Sequence, residues 1–290
     1  MVITMKKTKL EILKITINII RKIKIYIAYF KIKFLNEIQY KMAAFAGILT
    51  QFAWGGMYIM LYSTFLKNST PSDYTIQQMS TYIWLQQAFF SLYNLWSIDK
   101  DILEQCQNGN IAMELIRPID VYSIWHAKTL GKKLAMVTLR AIPILLICSM
   151  PFLKDYKLLL PTDLGMFILF VIVLVLSIIL MMSYIMLMYI SIMKTVSPKG
   201  IRVTFQMIME ACSGSLIPIA FMPNTIIEIL KYTPFYYMQN AALNIYNGYI
   251  SDITEIIKII GIQLIWIMIL TIIGRKIMKK QLSKIVVQGG

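Results

Sequence analysis

Between Leu164 and Met193 the chain reads LGMFILFVIVLVLSIILMMSYIMLMYISIM, with no charged residue in it. About 20 consecutive apolar residues suffice to cross a hydrocarbon core about 30 Å thick. The run therefore predicts a transmembrane helix, long enough to tilt or protrude. Met42 to Leu66 is uncharged as well. The stretches Tyr74–Trp96, Leu134–Phe152, Val203–Met222 and Ile256–Gly274 read as four further spans. With 58% hydrophobic residues, 15% charged residues and a mean hydropathy of +0.66, the chain predicts an all-α polytopic membrane protein of six transmembrane helices.

The ends differ from this middle. In residues 1–41, Ile12, Ile19, Ile23, Ile27, Phe30 and Phe34 recur at helical spacing, while Lys7, Lys14, Arg21, Lys24 and Lys31 gather opposite them. That pattern predicts an amphipathic helix lying in the headgroup plane with its apolar face in the acyl boundary. Residues 42–274 hold the spans, and 275–290 form a basic tail. Between the fifth and sixth spans, Pro223, Pro234 and Gly248 break the sequence, so Thr225–Tyr232 and Pro234–Tyr246 are expected as short helices lying at the outer surface or dipping into it. Of the 29 Lys and Arg, all but Lys67, Lys154, Lys157, Lys231 and Lys258 fall in segments that six spans would leave in the cytosol. This asymmetry predicts a multi-pass protein with both termini cytosolic.

One long polar segment interrupts the apolar sequence. Ser97 to Lys133 mixes Asp99, Asp101, Glu104, Glu114 and Asp120 with Lys100, Arg117, Lys128, Lys132 and Lys133. A short helix ended at Arg117-Pro118 would present mixed charge to a water-soluble partner, because Pro118 disfavours helix in the residue before it. Alternatively, these charges form a solvated loop in which Glu114 and Arg117 pair across one turn.

Several chemistries are excluded. The only Gly-Lys neighbours in a basic helical context, in TLGKK, lack the remainder of a phosphate loop. His126 is the sole histidine, and Cys106, Cys148 and Cys212 lack metal-ligand spacing. The net charge of +15 sits on a membrane chain rather than a soluble basic domain, so it points to anionic lipid and not to nucleic acid. No catalytic residue, metal site or cofactor is expected, and any energy source should reside on another chain.

Taken together, the six spans, the basic amphipathic helix, the loop segment GNIAMELIRPID and the terminal VVQGG resemble the permease subunits of ABC-2 type ATP-binding-cassette transporters. More narrowly, they look like the bacterial subfamily in which paired six-span permeases accompany a separate ATPase. The resemblance implies that the first cytosolic loop is a coupling helix seated on the ATPase, with Asp101, Gln105, Asn108, Gly109, Asn110, Glu114, Arg117 and Asp120 as contacts. It implies partner ATPase subunits carrying ATP and Mg, a second permease similar or identical to this one, and export across the bacterial plasma membrane. A drug, peptide or lipid would suit such a pathway.

Ionisable groups inside a membrane default to functional candidates. Glu210, halfway along the fifth span, is the clearest, with Arg140 as a candidate ion-pair partner. Gln51, Phe52, Trp54, Trp84, Gln86 and Gln87 are expected to line a translocation path with it, or else to hold helices together. Two other readings remain at this level. An ion-coupled secondary transporter would bury carboxylates or break its helices within the spans, often with an internal repeat; the sequence offers one buried Glu and no repeat. A membrane scaffold would use the same loop to recruit a cytosolic enzyme.

Overall fold

A computed structural model describes residues 2–68, 74–108, 111, 114, 119–161, 163–195 and 198–283, with side chains from residue 16 onward except those of Asn68 and Asn108. The described residues are helical with no strand: α1 Val2–Ile38, α2 Lys41–Asn68, α3 Ile76–Tyr93, α4 Lys100–Asn108, α5 Val121–Cys148, α6 Leu164–Ile192, α7 Pro198–Cys212, α8 Asn224–Lys231, α9 Pro234–Met238, α10 Asn240–Tyr246 and α11 Ile253–Leu282. Three of them, α2, α6 and α11, are long and apolar enough to cross a membrane. In lipid an unsatisfied backbone polar group costs several kcal/mol, so apolar sequence of this length closes its hydrogen bonds within one helix.

The helices start where side chains cap them. Thr75 and Gln78 form a reciprocal capping box at α3, while Asp120, Asp163 and Asp252 cap α5, α6 and α11. α3 is buried along most of its length, from Met79 through Ala88 and again at Ser91 to Tyr93. It lies against α2 and α5, while α6 packs against α11, α10, α7 and α4. By contrast, Phe167, Ile168, Val171 and Ile172 of α6 and Ile265, Met268 and Ile272 of α11 point outward. Apolar residues facing outward over the length of a span fit a lipid environment and would be a liability in water.

Two element boundaries depart from the sequence reading. The helix of the third expected span begins at Val121, not Leu134. Its charged first half is helical because protein groups meet its charges: Lys132 Nζ donates to Ile98 O at 3.2 Å, and Lys133 Nζ donates to Ser91 O at 3.0 Å and to Asn94 O. The helix of the fifth expected span is shorter than expected, ending at Cys212. Gly214 there has φ +82°, which favours glycine, and Pro218 has no N–H to continue a helix. The freed carbonyls find donors, Tyr82 Oη on Gly214, Gln86 Nε2 on Ser215 and Tyr62 Oη on Leu216. This is the condition for irregular backbone at membrane depth.

The sequence places the segment after this break at the outer surface or dipping into it. α8 is exposed apart from Leu230 and partly covered Ile227, whereas α9 and α10 are enclosed in the fold, with Tyr237, Met238, Ala241 and Leu243 among the most buried residues. Their polar groups bond inward: Tyr74 Oη donates to Asn244 Oδ1, and Asn244 Nδ2 donates to Asn240 Oδ1 at 3.2 Å.

Candidate functional site

On α2, Gln51, Trp54 and Tyr58 recur at spacings of three and four and so share one helix face. That face meets α3 and α7 around a cavity of about 290 Å³, lined by Gln51, Trp54, Tyr58, Gln86, Gln87, Phe90 and Glu210 among others. Five residues expected along a path, Gln51, Trp54, Gln86, Gln87 and Glu210, are thus brought together. Phe52 and Trp84 lie outside the cavity. Their rings pack at 5.9 Å, and Trp84 Nε1 donates to Tyr156 O at 2.8 Å. Sequence reasoning missed Thr50, Tyr58 and Phe90, although the α2 periodicity carried the signal for Tyr58.

Glu210 is partly buried and accepts a hydrogen bond from Gln206 Nε2, whose own Oε1 accepts from the Leu95 N–H just beyond α3. The expected Arg140–Glu210 pair is not formed. Arg140 instead lies against α2, so close to Gly47 that a Cβ there would stand 2.7 Å from the guanidinium carbon. Gln86 spends its amide donor on the Ser215 carbonyl, so in part it serves packing, as the alternative reading expected.

The second candidate element is α4. Its start is gripped from two sides. From α1, Lys33 Nζ lies 2.9 Å from Asp99 Oδ2 and also pairs with Asp101. From α6, Tyr189 Oη accepts the Asp99 N–H at 3.0 Å. Burial alone would lower the Lys33 pKa, but the hydrogen bonds that Lys33 donates to Asp101 and Asp99 outweigh it and leave the ammonium above the ordinary lysine value. The hydrogen bond from Lys33 in turn holds the Asp101 carboxyl below the usual carboxylate range. α1 docks closely on α5 beside this clamp, since a Cβ at Gly131 would meet Phe30 O at 2.5 Å.

The expected docking residues separate accordingly. Asp101 faces outward, and Gln105 is half-buried. Glu114 is 5% exposed, with Lys128 Nζ at 2.6 Å and Trp125 Nε1 at 3.2 Å, so its carboxylate is engaged within the chain. A carboxylate at this depth requires a cation, and Lys128 on the first turns of α5 supplies one. Asp120 caps α5 and pairs with Arg275 Nη1 at 2.8 Å while remaining exposed. Gly109, Asn110 and Arg117, like the terminal VVQGG, lie outside the described residues, as does the side chain of Asn108.

Helices of lipid-spanning length and a polar-lined cavity beside one of them are features that a membrane transport protein would have. Residues 51–289 match the family described as ABC-2 family transporter protein, and the chain belongs to that family, the membrane component of ABC-type transport. Members of this family are not themselves the catalytic subunit and generally work with ATPase subunits. The match begins within α2 and leaves α1 outside it. No curated protein and no solved structure matches the chain.

Proposed function

We propose that this chain is the permease subunit of an ATP-driven exporter in a bacterial plasma membrane, crossing it six times with both termini in the cytosol. In this reading α4 and the following loop seat on a separate ATPase, which binds ATP and Mg. The cavity around Gln51, Trp54, Gln87 and Glu210 belongs to a path shared with a second six-span permease, similar or identical. Its aromatic and amide lining suits a hydrophobic or amphipathic cargo such as a drug, peptide or lipid.

One observation carries the reading: the start of α4 is bonded at once to α1 through Lys33 and to α6 through Tyr189. An ATPase that displaces α4 would therefore pull on two long helices together. The displacement drives transport only if the ATPase binds the two permease states with different free energies. The break after Cys212 is a feature also expected of ion-coupled carriers. Here its three successive carbonyls are taken by Tyr82, Gln86 and Tyr62, which favours a structural break over an ion site.

Purification of the tagged chain in mild detergent, with mass-spectrometric identification of stoichiometric companions, tests the proposal. An ATPase bearing a phosphate loop, with or without a second permease, is the expected companion. A chain that purifies alone and moves solute in vesicles on an ion gradient without ATP would replace the proposal with a secondary transporter.

A further inference from the structure

A second cavity, larger than the one between α2, α3 and α7, lies elsewhere among the described residues. It measures about 490 Å³ and opens between α1 and the α5–α6–α11 face. Its walls are Ile23, Ile27 and Phe30 of α1, Leu130 of α5 and Ile179 of α6, with Arg275 of α11 at one end. Polarity is graded along it. Asp120 and Ser123, which bond Arg275 at 2.8 and 3.0 Å, lie at the start of α5, whereas Leu130 is two turns further in. Ile179 likewise lies in the middle of the span-length helix α6, far from its ends.

We infer that this cleft is a binding site for one anionic phospholipid, its acyl chain between α1 and the bundle and its phosphate at Arg275. Three observations point to this occupant. The cleft is open toward the side where Ile23 and Ile27 are about half exposed, so a chain can enter laterally from the surrounding lipid. The Arg275 side chain is 49% exposed, and Asp120 and Ser123 take one nitrogen each of a group with five N–H donors, leaving donors for a phosphate. Arg275, Lys276, Lys279 and Lys280 together form a basic cluster at the end of a span-length helix, the charge pattern that attracts anionic headgroups. The volume falls within the range of about 300–1,000 Å³ typical of ligand clefts.

The inference requires only that the protein resides in a membrane; it does not depend on the cargo path or the ATPase. Its test is native mass spectrometry of the full chain released from nanodiscs of phosphatidylglycerol and phosphatidylcholine in equal amounts. The expected result is one retained phosphatidylglycerol per chain. Arg275→Gln should lower apparent affinity for it about fivefold, the effect of one cation beside an anionic headgroup, and Arg275→Lys should restore most of it. Ile27→Trp, at a half-exposed position that does not endanger folding, should narrow the cleft and reduce retention of both lipids. Equal retention of the two lipids, or retention of phosphatidylglycerol undiminished in both Arg275→Gln and Ile27→Trp, would overturn the site. So would retention of glycerol phosphate, added alone in the same measurement, equal to that of the lipid, since it would show that the apolar walls hold nothing.

Discussion

The Glu114 carboxylate lies 2.6 Å from the Lys128 ammonium, and both side chains are largely buried. The pair ties Glu114, midway between α4 and α5 in sequence, to the first turns of α5, with Trp125 donating a second hydrogen bond to the same carboxylate. Breaking a buried ion pair by removing one partner typically costs about 3–5 kcal/mol, because the other charge is left without compensation. Glu114→Lys should therefore lower thermal stability of the purified protein by an amount of that order. Glu114→Lys with Lys128→Glu should recover part of the loss. A Glu114→Lys protein that melts like wild type but fails to bind an ATPase would instead make Glu114 a docking residue.

Lys33 and Asp101 define a pH window for the grip on α4. Asp101 is held below its unfolded value of about 3.9, so its contribution is complete above that pH and is lost as pH falls through the folded value. Lys33 is held above its unfolded value of about 10.4, so its contribution is complete below that pH and is lost as pH rises through the folded value. Spin labels at the exposed positions Lys31 and Glu104 should keep a constant separation between about pH 4 and pH 10 and separate outside it. In Lys33→Gln the separation should be broad at every pH.

Gly131 leaves no room for a side chain beneath α1, since its neighbour is the backbone oxygen of Phe30. Gly131→Ala should push α1 off α5 at a cost of about 1–3 kcal/mol, the usual range for overpacking. Faster tryptic cleavage at the exposed Arg21, Lys22 and Lys24 would report it. Unchanged cleavage would mean that α1 is retained by its other contacts.

Glu210→Gln separates charge from packing. A glutamine can still accept the hydrogen bond from Gln206, so stability and expression should be preserved. If the cavity is part of a cargo path that uses the carboxylate, transport in vesicles should fall while the melting temperature stays constant. Unchanged transport would leave Glu210 a packing residue.

The apolar stretches were legible because lipid imposes a length and a composition that the sequence cannot disguise. α2 and α6 begin and end within two residues of the expected positions, whereas α11 starts three residues early and runs on to Leu282, into the stretch expected as a basic tail. The polar face of the cavity was legible too, since Gln51, Gln86, Gln87 and Glu210 stand out against apolar neighbours. What the sequence hid depends on partners distant along the chain. Lys128, Lys132 and Lys133 read as loop charges until Glu114, Ile98 O and the end of α3 are seen to receive them. Trp84 and Phe52 read as path residues because aromatic rings in a span look alike whether they face a cavity or each other. The break after Cys212 was masked because Gly214 and Pro218 sit among apolar residues that a hydropathy reading joins into one span.

Lys133 closes the end of α3 from another helix. Its fully enclosed ammonium bonds the carbonyls of Ser91 and Asn94, which lie 42 and 39 residues earlier in the chain. Backbone oxygens away from water need a donor, and these two gain this one only when α5 has arrived. The α2–α3 hairpin is accordingly left unfinished when it first emerges from synthesis. Its last turn becomes secure once about 40 further residues have been made, so this helix end is completed by downstream sequence rather than by its own neighbours.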